Sequence, residues 1–253
     1  DDVTTVTFTN AAAGTININA GATATNPAGS ARARNAAAGL IVQKTQANGT
    51  GNDTSTATLT NAGRIAMTVG ATGTATGGDA SAVSAVANAI TQVAEVTGPT
   101  KYAIDGGEGA EPTFGFYTNI GQLTFANAAT GVVDIRSSAT GSATGGDAEA
   151  HSYVDAGLLQ AAQVDGGTPQ ASFNNSGSFS VRSTSVASGT GAFASAGTAG
   201  LVLDAGFPVD EGRLPTAHDV TGVSQVLLGK STDARFSNSG TVGVTASATA
   251  NGG

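Results

Sequence analysis

The chain has 253 residues and a formal net charge of -8, with 37 Gly, no Cys, 5% aromatic and 11% charged residues. This composition excludes disulfides and thiolate metal sites and argues against a conventional core of large side chains, and the lack of any basic run argues against nucleic acid or an anionic membrane surface as partner. Disorder is also disfavoured, because 40% of the residues are hydrophobic and many alternate regularly with polar ones.

In chain order, the first repeat is anchored on Asn10, with Ile16 and Ile18 opening an alternating strand after Gly14. A second alternating face follows: Ala31, Ala33, Asn35, Ala37, Gly39, Ile41, Gln43. In the second repeat Asn61 and Gly63 precede Ile65, Met67 and Val69, and the same face then shrinks to Ala71, Gly73 and Ala75. The turn "TGGDA" (76–80) leads into Ala80, Ala82, Ser84, Val86, Asn88, Ile90, Gln92, and a long insertion (97–120) follows. The third repeat carries Asn127, then Val133 and Ile135, then Ala139, Gly141 and Ala143, and a second "TGGDA". Its next face reads Ala148, Ala150, Ser152, Val154, Ala156, Leu158, Gln160. The opposite face holds Asp147, Glu149, His151, Tyr153 and Asp155, which belong in solvent. In the fourth repeat Asn175 precedes Phe179 and Val181, Asp204 falls where the earlier repeats have glutamine, and a second insertion (206–234) follows. Asn238, Val242 and Val244 begin a fifth repeat that is cut short.

Period-two alternation marks strands with one buried face. The anchor asparagines are 51, 66, 48 and 63 residues apart, so a common scaffold carries loops of unequal length. The expected fold is all-β: a single-domain parallel β-solenoid over residues 1–253, with about four and a half irregular coils and a thin Ala/Gly/Val core. Each coil is expected to be two long strands joined by a Gly turn and closed by a loop. Stacking like residues on like makes Asn10, Asn61, Asn127, Asn175 and Asn238 one amide ladder. Gln43, Gln92 and Gln160 form a second, interrupted at Asp204. The glycine after each asparagine is expected to complete a tight turn.

The N-x-G-x-[IV] phrase of "NAGRI" and "NSGTV", with Ala-rich strands and "GGDA" turns, resembles the repeats of Gram-negative surface proteins. Those are the autotransporter passengers and filamentous-haemagglutinin-type adhesins. Asn10 and Asn127 depart from it by two extra residues before their glycine. The resemblance implies an extracellular, bacterial cell-surface, non-enzymatic role in structure or adhesion, with no cofactor.

Four other readings are set against this one. Asp79 and Asp147 in the "GGD" turns are candidate calcium ligands, but they stand alone, and Ser30 replaces them in the first repeat. A polysaccharide-binding or polysaccharide-degrading β-helix would draw its site from the insertions: Lys101, Tyr102, Asp105, Glu108 and Glu111, or Asp210, Glu211, Arg213, His218 and Asp219. Outward ranks made mostly of hydroxyls, Thr23, Thr72, Thr140, Val186 and Thr249 beside Thr25, Thr74, Ser142, Ser188 and Asn251, suit an ice-binding or lateral-packing face. A transmembrane barrel is disfavoured, since the outward positions are polar.

No cap segment is recognisable. The chain starts with strand-like "VTTVTFT" and ends in half a coil, "TVGVTASATA", which reads as a mature subunit or an excerpt of a longer chain. Val3, Val6 and Phe8 at one end, with Val242 and Val244 at the other, are the expected assembly edges. The partner is then a head-to-tail second copy or more of the same chain, with glycans as further candidates.

Overall fold

A computed structural model describes residues 1–49, 51–98, 101–104, 113–116, 118–198, 201–205 and 221–252. Every regular element among them is a β-strand. The first coil is β1 (Val3–Asn10), β2 (Thr15–Asn26), β3 (Ala31–Ala38) and β4 (Ile41–Ala47). The second is β5 (Thr54–Asn61), β6 (Arg64–Ala75), β7 (Ala80–Ala87) and β8 (Ile90–Val96), followed by an antiparallel pair, β9 (Lys101–Ile104) and β10 (Thr113–Phe116). The third is β11 (Ile120–Asn127), β12 (Val132–Ala143), β13 (Ala148–Val154) and β14 (Ala156–Val164). The fourth is β15 (Thr168–Asn175), β16 (Ser178–Gly189), β17 (Ala192–Thr198), β18 (Leu201–Ala205) and β19 (Thr221–Leu228), and a half coil follows as β20 (Asp233–Asn238) and β21 (Thr241–Gly252).

Four parallel sheets run the length of the stack: β1-β5-β11-β15-β20, β2-β6-β12-β16-β21, β3-β7-β13-β17 and β4-β8-β14-β19-β18. We call them A, B, C and D. The protein is a parallel β-solenoid, as the repeat pattern requires. Registry does not slip: Asn10, Asn61, Asn127, Asn175 and Asn238 pair in one line, although their sequence spacing varies. The variation in length is absorbed outside the strands.

Two details differ from the sequence reading. Each coil has four strands, because the expected second strand is broken in two. A left-handed residue at the break, Gly39 (φ 57°) or Asn88 (φ 50°), turns the chain between sheets C and D in the first two coils. Its inward alternation carries on through the corner, so in the sequence the two strands read as one. The part expected to be a closing loop is instead the end of the sheet D strand and the sheet A strand of the next coil.

The second difference concerns the fourth coil. Its sheet D strand is β19, which lies inside the expected insertion 206–234, and Gln225 pairs with Gln160. β18, which follows β17 directly in sequence, is displaced to the outer side of β19, with Leu203 opposite Gln225 and Asp204 opposite Val226. The insertion precedes the sheet D strand instead of following it. Alignment by chain continuity therefore picked the wrong strand, and the glutamine column is not interrupted at Asp204.

The expected thin core of Ala, Gly and Val is found only away from the centre: the repeats place large inward residues at matching strand positions, so the cross-section is thick in the middle and thin toward both ends. At the centre, the rings of Phe125, Phe173 and Phe236 stack along the coils, with centroids 5.3 and 4.7 Å apart, and Phe179 meets Phe125 and Phe173 edge-on. Leu59, Ile65, Met67, Ile90, Ile135 and Leu158 complete this fully buried part. Between sheets B and C the filling falls to alanine: Ala33, Ala71, Ala82, Ala139, Ala150 and Ala187. Here a Cβ on Gly73 would come within 2.6 Å of the Ser81 carbonyl oxygen. Sheets A and D close the other side over Ala57, Ala94, Leu123, Ala162 and Leu227.

Candidate functional site: the coil-stacking ladders

The side chains that the sequence set apart come together as columns along the stack, and their geometry is that of coil-to-coil recognition. In sheet A, Asn10 Nδ2 donates to Asn61 Oδ1 (2.8 Å), Asn61 to Asn127 (2.8 Å), Asn127 to Asn175 (2.7 Å) and Asn175 to Asn238 (2.7 Å). The same amide groups also reach the carbonyl of the residue opening the next coil's sheet B strand: Arg64, Val132, Ser178 and Thr241. That carbonyl fixes which way the amide faces. Asn10, Asn61, Asn127 and Asn175 are buried; Asn238 is exposed.

The glutamine ladder has four members and runs the other way. Gln92 Nε2 donates to Gln43 Oε1 (2.8 Å), Gln160 to Gln92 (2.8 Å) and Gln225 to Gln160 (2.7 Å), back toward the first coil. Each amide also donates across the core to a sheet A carbonyl of the following coil: Thr58, Thr124, Ser172 and Arg235. Gln225 Oε1, fully buried at the last level of this ladder, has no donor. In each ladder an amide that both donates and accepts is polarised by its neighbours, which strengthens the series.

The glycine that follows each asparagine closes a turn, as expected, with the Gly14 and Gly131 amides donating to the Ala11 and Ala128 carbonyls (2.8 Å), but the need for glycine has another source. Gly177 is not in the left-handed region. A Cβ there would overlap the Gly131 and Ala128 carbonyl oxygens of the coil below. Close approach between coils is what excludes a side chain, and the turn's own φ does not require glycine.

Asp79 and Asp147 form a further ladder at the corner between sheets B and C. The Asp79 amide donates to Ser30 Oγ (3.2 Å), the Asp147 amide to Asp79 Oδ1 (3.0 Å) and the Gly191 amide to Asp147 Oδ1 (3.0 Å). Ser30 thus belongs to the same column, and the carboxylates already accept backbone hydrogen bonds. No group of three or more His, Cys, Asp or Glu side chains able to hold a metal occurs among the described residues. Thermal melts with calcium and with a chelator are expected to agree within about 2 °C, since an ion bound only to the folded state would raise the melting point. A large calcium-dependent rise would return these aspartates to the ligand reading.

Two polar columns have no counterpart in the sequence reading. At the corner before sheet A, the Asp2 amide donates to Asp53 Oδ1 (2.8 Å) and the Asp53 amide to Asn119 Oδ1 (3.2 Å). Between sheets B and C, Ser137 Oγ donates to Ser84 Oγ and Ser183 Oγ to Ser152 Oγ, both at 2.9 Å. Ser84 and Ser152 were legible as inward positions, yet nothing along one strand names the facing partner. Asp2, Asp53 and Asn119 share the 51- and 66-residue separations of the asparagine ladder, and the change of residue type from Asp to Asn hid their column.

The expected assembly residues sit at opposite ends of the stack: Val3, Val6 and Phe8 on β1, at one edge of sheet A, and Val242 and Val244 on β21, at the far edge of sheet B. The hydroxyl ranks are in register, Thr23 beside Thr72 beside Thr140, with Val186 and Thr249 continuing the line. Asp105, Glu108, Glu111, Asp210, Glu211, Arg213, His218 and Asp219 lie outside the described residues. Of Lys101 and Tyr102 only the backbone, in β9, is described.

The fold and its ladders define the class as a parallel β-solenoid whose coils are matched by side-chain hydrogen bonds. Comparison of the chain with protein-family models, curated proteins and solved structures finds no match.

Proposed function

We propose that this chain is a non-enzymatic structural segment of an extracellular fibre at a bacterial surface, extended by coil-on-coil stacking and used in adhesion. One observation carries the reading: the two amide ladders donate in opposite directions. The face of any coil directed toward higher residue numbers therefore offers an asparagine N–H and a glutamine carbonyl, and the opposite face offers the converse. Two like faces would set donor against donor and acceptor against acceptor. With asparagine set on asparagine and glutamine on glutamine, as in-register sheets require, only unlike faces satisfy both columns, so stacking has a single polarity, the heterologous arrangement that yields filaments. Within the chain every coil obeys this rule; past Gln225 the glutamine column is covered by β18, so a coil added from a second copy is matched by the asparagine column, through Asn238.

Sedimentation velocity and negative-stain electron microscopy over a range of concentrations test the reading. Unbranched fibres one solenoid wide are expected. Isolated particles at every concentration would overturn it, and a monodisperse protein that cleaves a polysaccharide would support an enzyme instead.

A further inference from the structure

Phenylalanine and tyrosine are spent sparingly in this protein. Among residues with described side chains, Phe8, Phe125, Phe173, Phe179 and Phe236 belong to the core. The other two, Tyr153 and Phe193, stand on the outer face of sheet C beside His151. The His151 and Tyr153 rings lie nearly parallel, 13° apart with centroids at 6.4 Å, and the Tyr153 hydroxyl is 3.3 Å from His151 Nδ1. Phe193, one coil further, is 5.5 Å from the imidazole, tilted 48° to it and 57% exposed, so it flanks the His151–Tyr153 pair at an angle. Folding does not explain this cluster, since none of the three side chains enters the core.

Its surroundings keep the rings accessible. The neighbours of His151 and Tyr153 on adjacent strands are Val83 and Ala85 on one side, and Ser195 and Gly197 on the other. A Cβ on Gly197 would sit 3.3 Å from Tyr153 Cδ1, so the ring leans over the space that the missing side chain leaves. Around the rings are the exposed carboxylates of Asp147, Glu149 and Asp155. Arg32 and Arg34 lie two strands away, on the first coil, about 10 Å along the stack.

We propose that this face is a binding platform for a flat, uncharged, β-linked polysaccharide of the cellulose or chitin kind. A pyranose ring presents an apolar C–H face and a rim of hydroxyls. The aromatic faces suit the first, and Glu149, Ser195 and the Tyr153 hydroxyl suit the second. The acidic rim disfavours anionic polysaccharides and phospholipid headgroups. A protein partner is disfavoured by size: three partly covered rings, at about 150–250 Å² each, fall short of the roughly 800 Å² per partner of a stable protein interface. The site does not depend on coil polymerisation, because it lies on the side of the solenoid.

The test is co-sedimentation of the whole chain with microcrystalline cellulose and with chitin. Soluble polygalacturonate and anionic phospholipid vesicles serve as the alternative partners. Binding to at least one of the two insoluble polymers is expected, with Tyr153→Ala and Phe193→Ala each weakening it about tenfold. Gly197→Val should weaken it several-fold while every ring is kept, and Thr72→Ala, on sheet B, should leave it unchanged. Circular dichroism should be that of the wild type in all four variants, because these side chains lie outside the core, and the melting point should stay within about 4 °C of it, the size of a glycine substitution's effect on the unfolded chain. Failure to bind either polymer, or binding insensitive to the ring substitutions, would overturn the proposal. Capture by polygalacturonate or vesicles that is lost in the same variants would overturn it in favour of an anionic partner.

Discussion

Asn127→Leu is expected to destabilise the protein by about 4 kcal/mol and to lower its melting point by about 10 °C, as read by chemical and thermal denaturation. Leucine keeps the volume and removes every polar contact of a side chain that is buried at the middle of its ladder. Asn127 Nδ2 serves Asn175 Oδ1, the Gly131 carbonyl and the Ser178 carbonyl, and Asn127 Oδ1 accepts from Asn61. After substitution the Asn61 amide hydrogen and Asn175 Oδ1 both remain buried without a partner, and each such orphan costs about 1–3 kcal/mol. Asn238→Leu supplies the internal control. Asn238 is exposed, accepts from Asn175 and donates to the Gly240 carbonyl, so water can replace what is lost and the cost should stay below about 1.5 kcal/mol. Equal costs at the two positions would mean that the ladder contributes nothing beyond the local turn.

The same ladder shows how much of this fold can be read from one sequence. Stacking copies the local environment from coil to coil, so Asn10, Asn61, Asn127, Asn175 and Asn238 could be aligned by their neighbours alone, and each lands in the predicted column. The inward faces of sheets B, C and D in the first three coils were equally legible, because alternation survives the corners. What the sequence hid is what does not repeat. Gln225 was missed because an insertion separates it from β17, and continuity pointed to Asp204. The pairings of Ser84 with Ser137 and of Ser152 with Ser183 cross between sheets, at separations of 53 and 31 residues, for which no strand-by-strand pattern exists. The directions of the two ladders, on which the fibre reading rests, come from backbone carbonyls of the following coil, and residue identity does not encode them.

Gly73→Val is expected to cost about 3 kcal/mol, from a position with no polar side chain and no special backbone conformation. Sheets B and C approach so closely here that an added Cβ would lie 2.6 Å from the Ser81 carbonyl oxygen and 3.1 Å from its carbonyl carbon. Both are backbone atoms and cannot rotate away. To admit a side chain, β6 and β7 must separate, and Ala71, Ala82 and Ala139 then lose their contacts across the gap. Gly73 stacks on Gly141 of the next coil, which faces the Glu149 carbonyl in the same manner, and on Ala24 of the first coil. Once the sheets have parted at one coil, the adjacent coil follows through the shared ladders. The double substitution Gly73→Val/Gly141→Val should therefore cost less than the sum of the two single ones, a coupling that a double-mutant cycle measures. Gly21→Ala separates this effect from any general preference for glycine. Gly21 is exposed on sheet B with nothing within 4 Å of the new Cβ, and its φ is not left-handed. Alanine there should be neutral or should stabilise by about 0.5–1 kcal/mol by restricting the unfolded chain. Strict additivity at Gly73 and Gly141 would show that each coil relaxes alone, and the solenoid would then behave as independent turns instead of two continuous sheets pressed together.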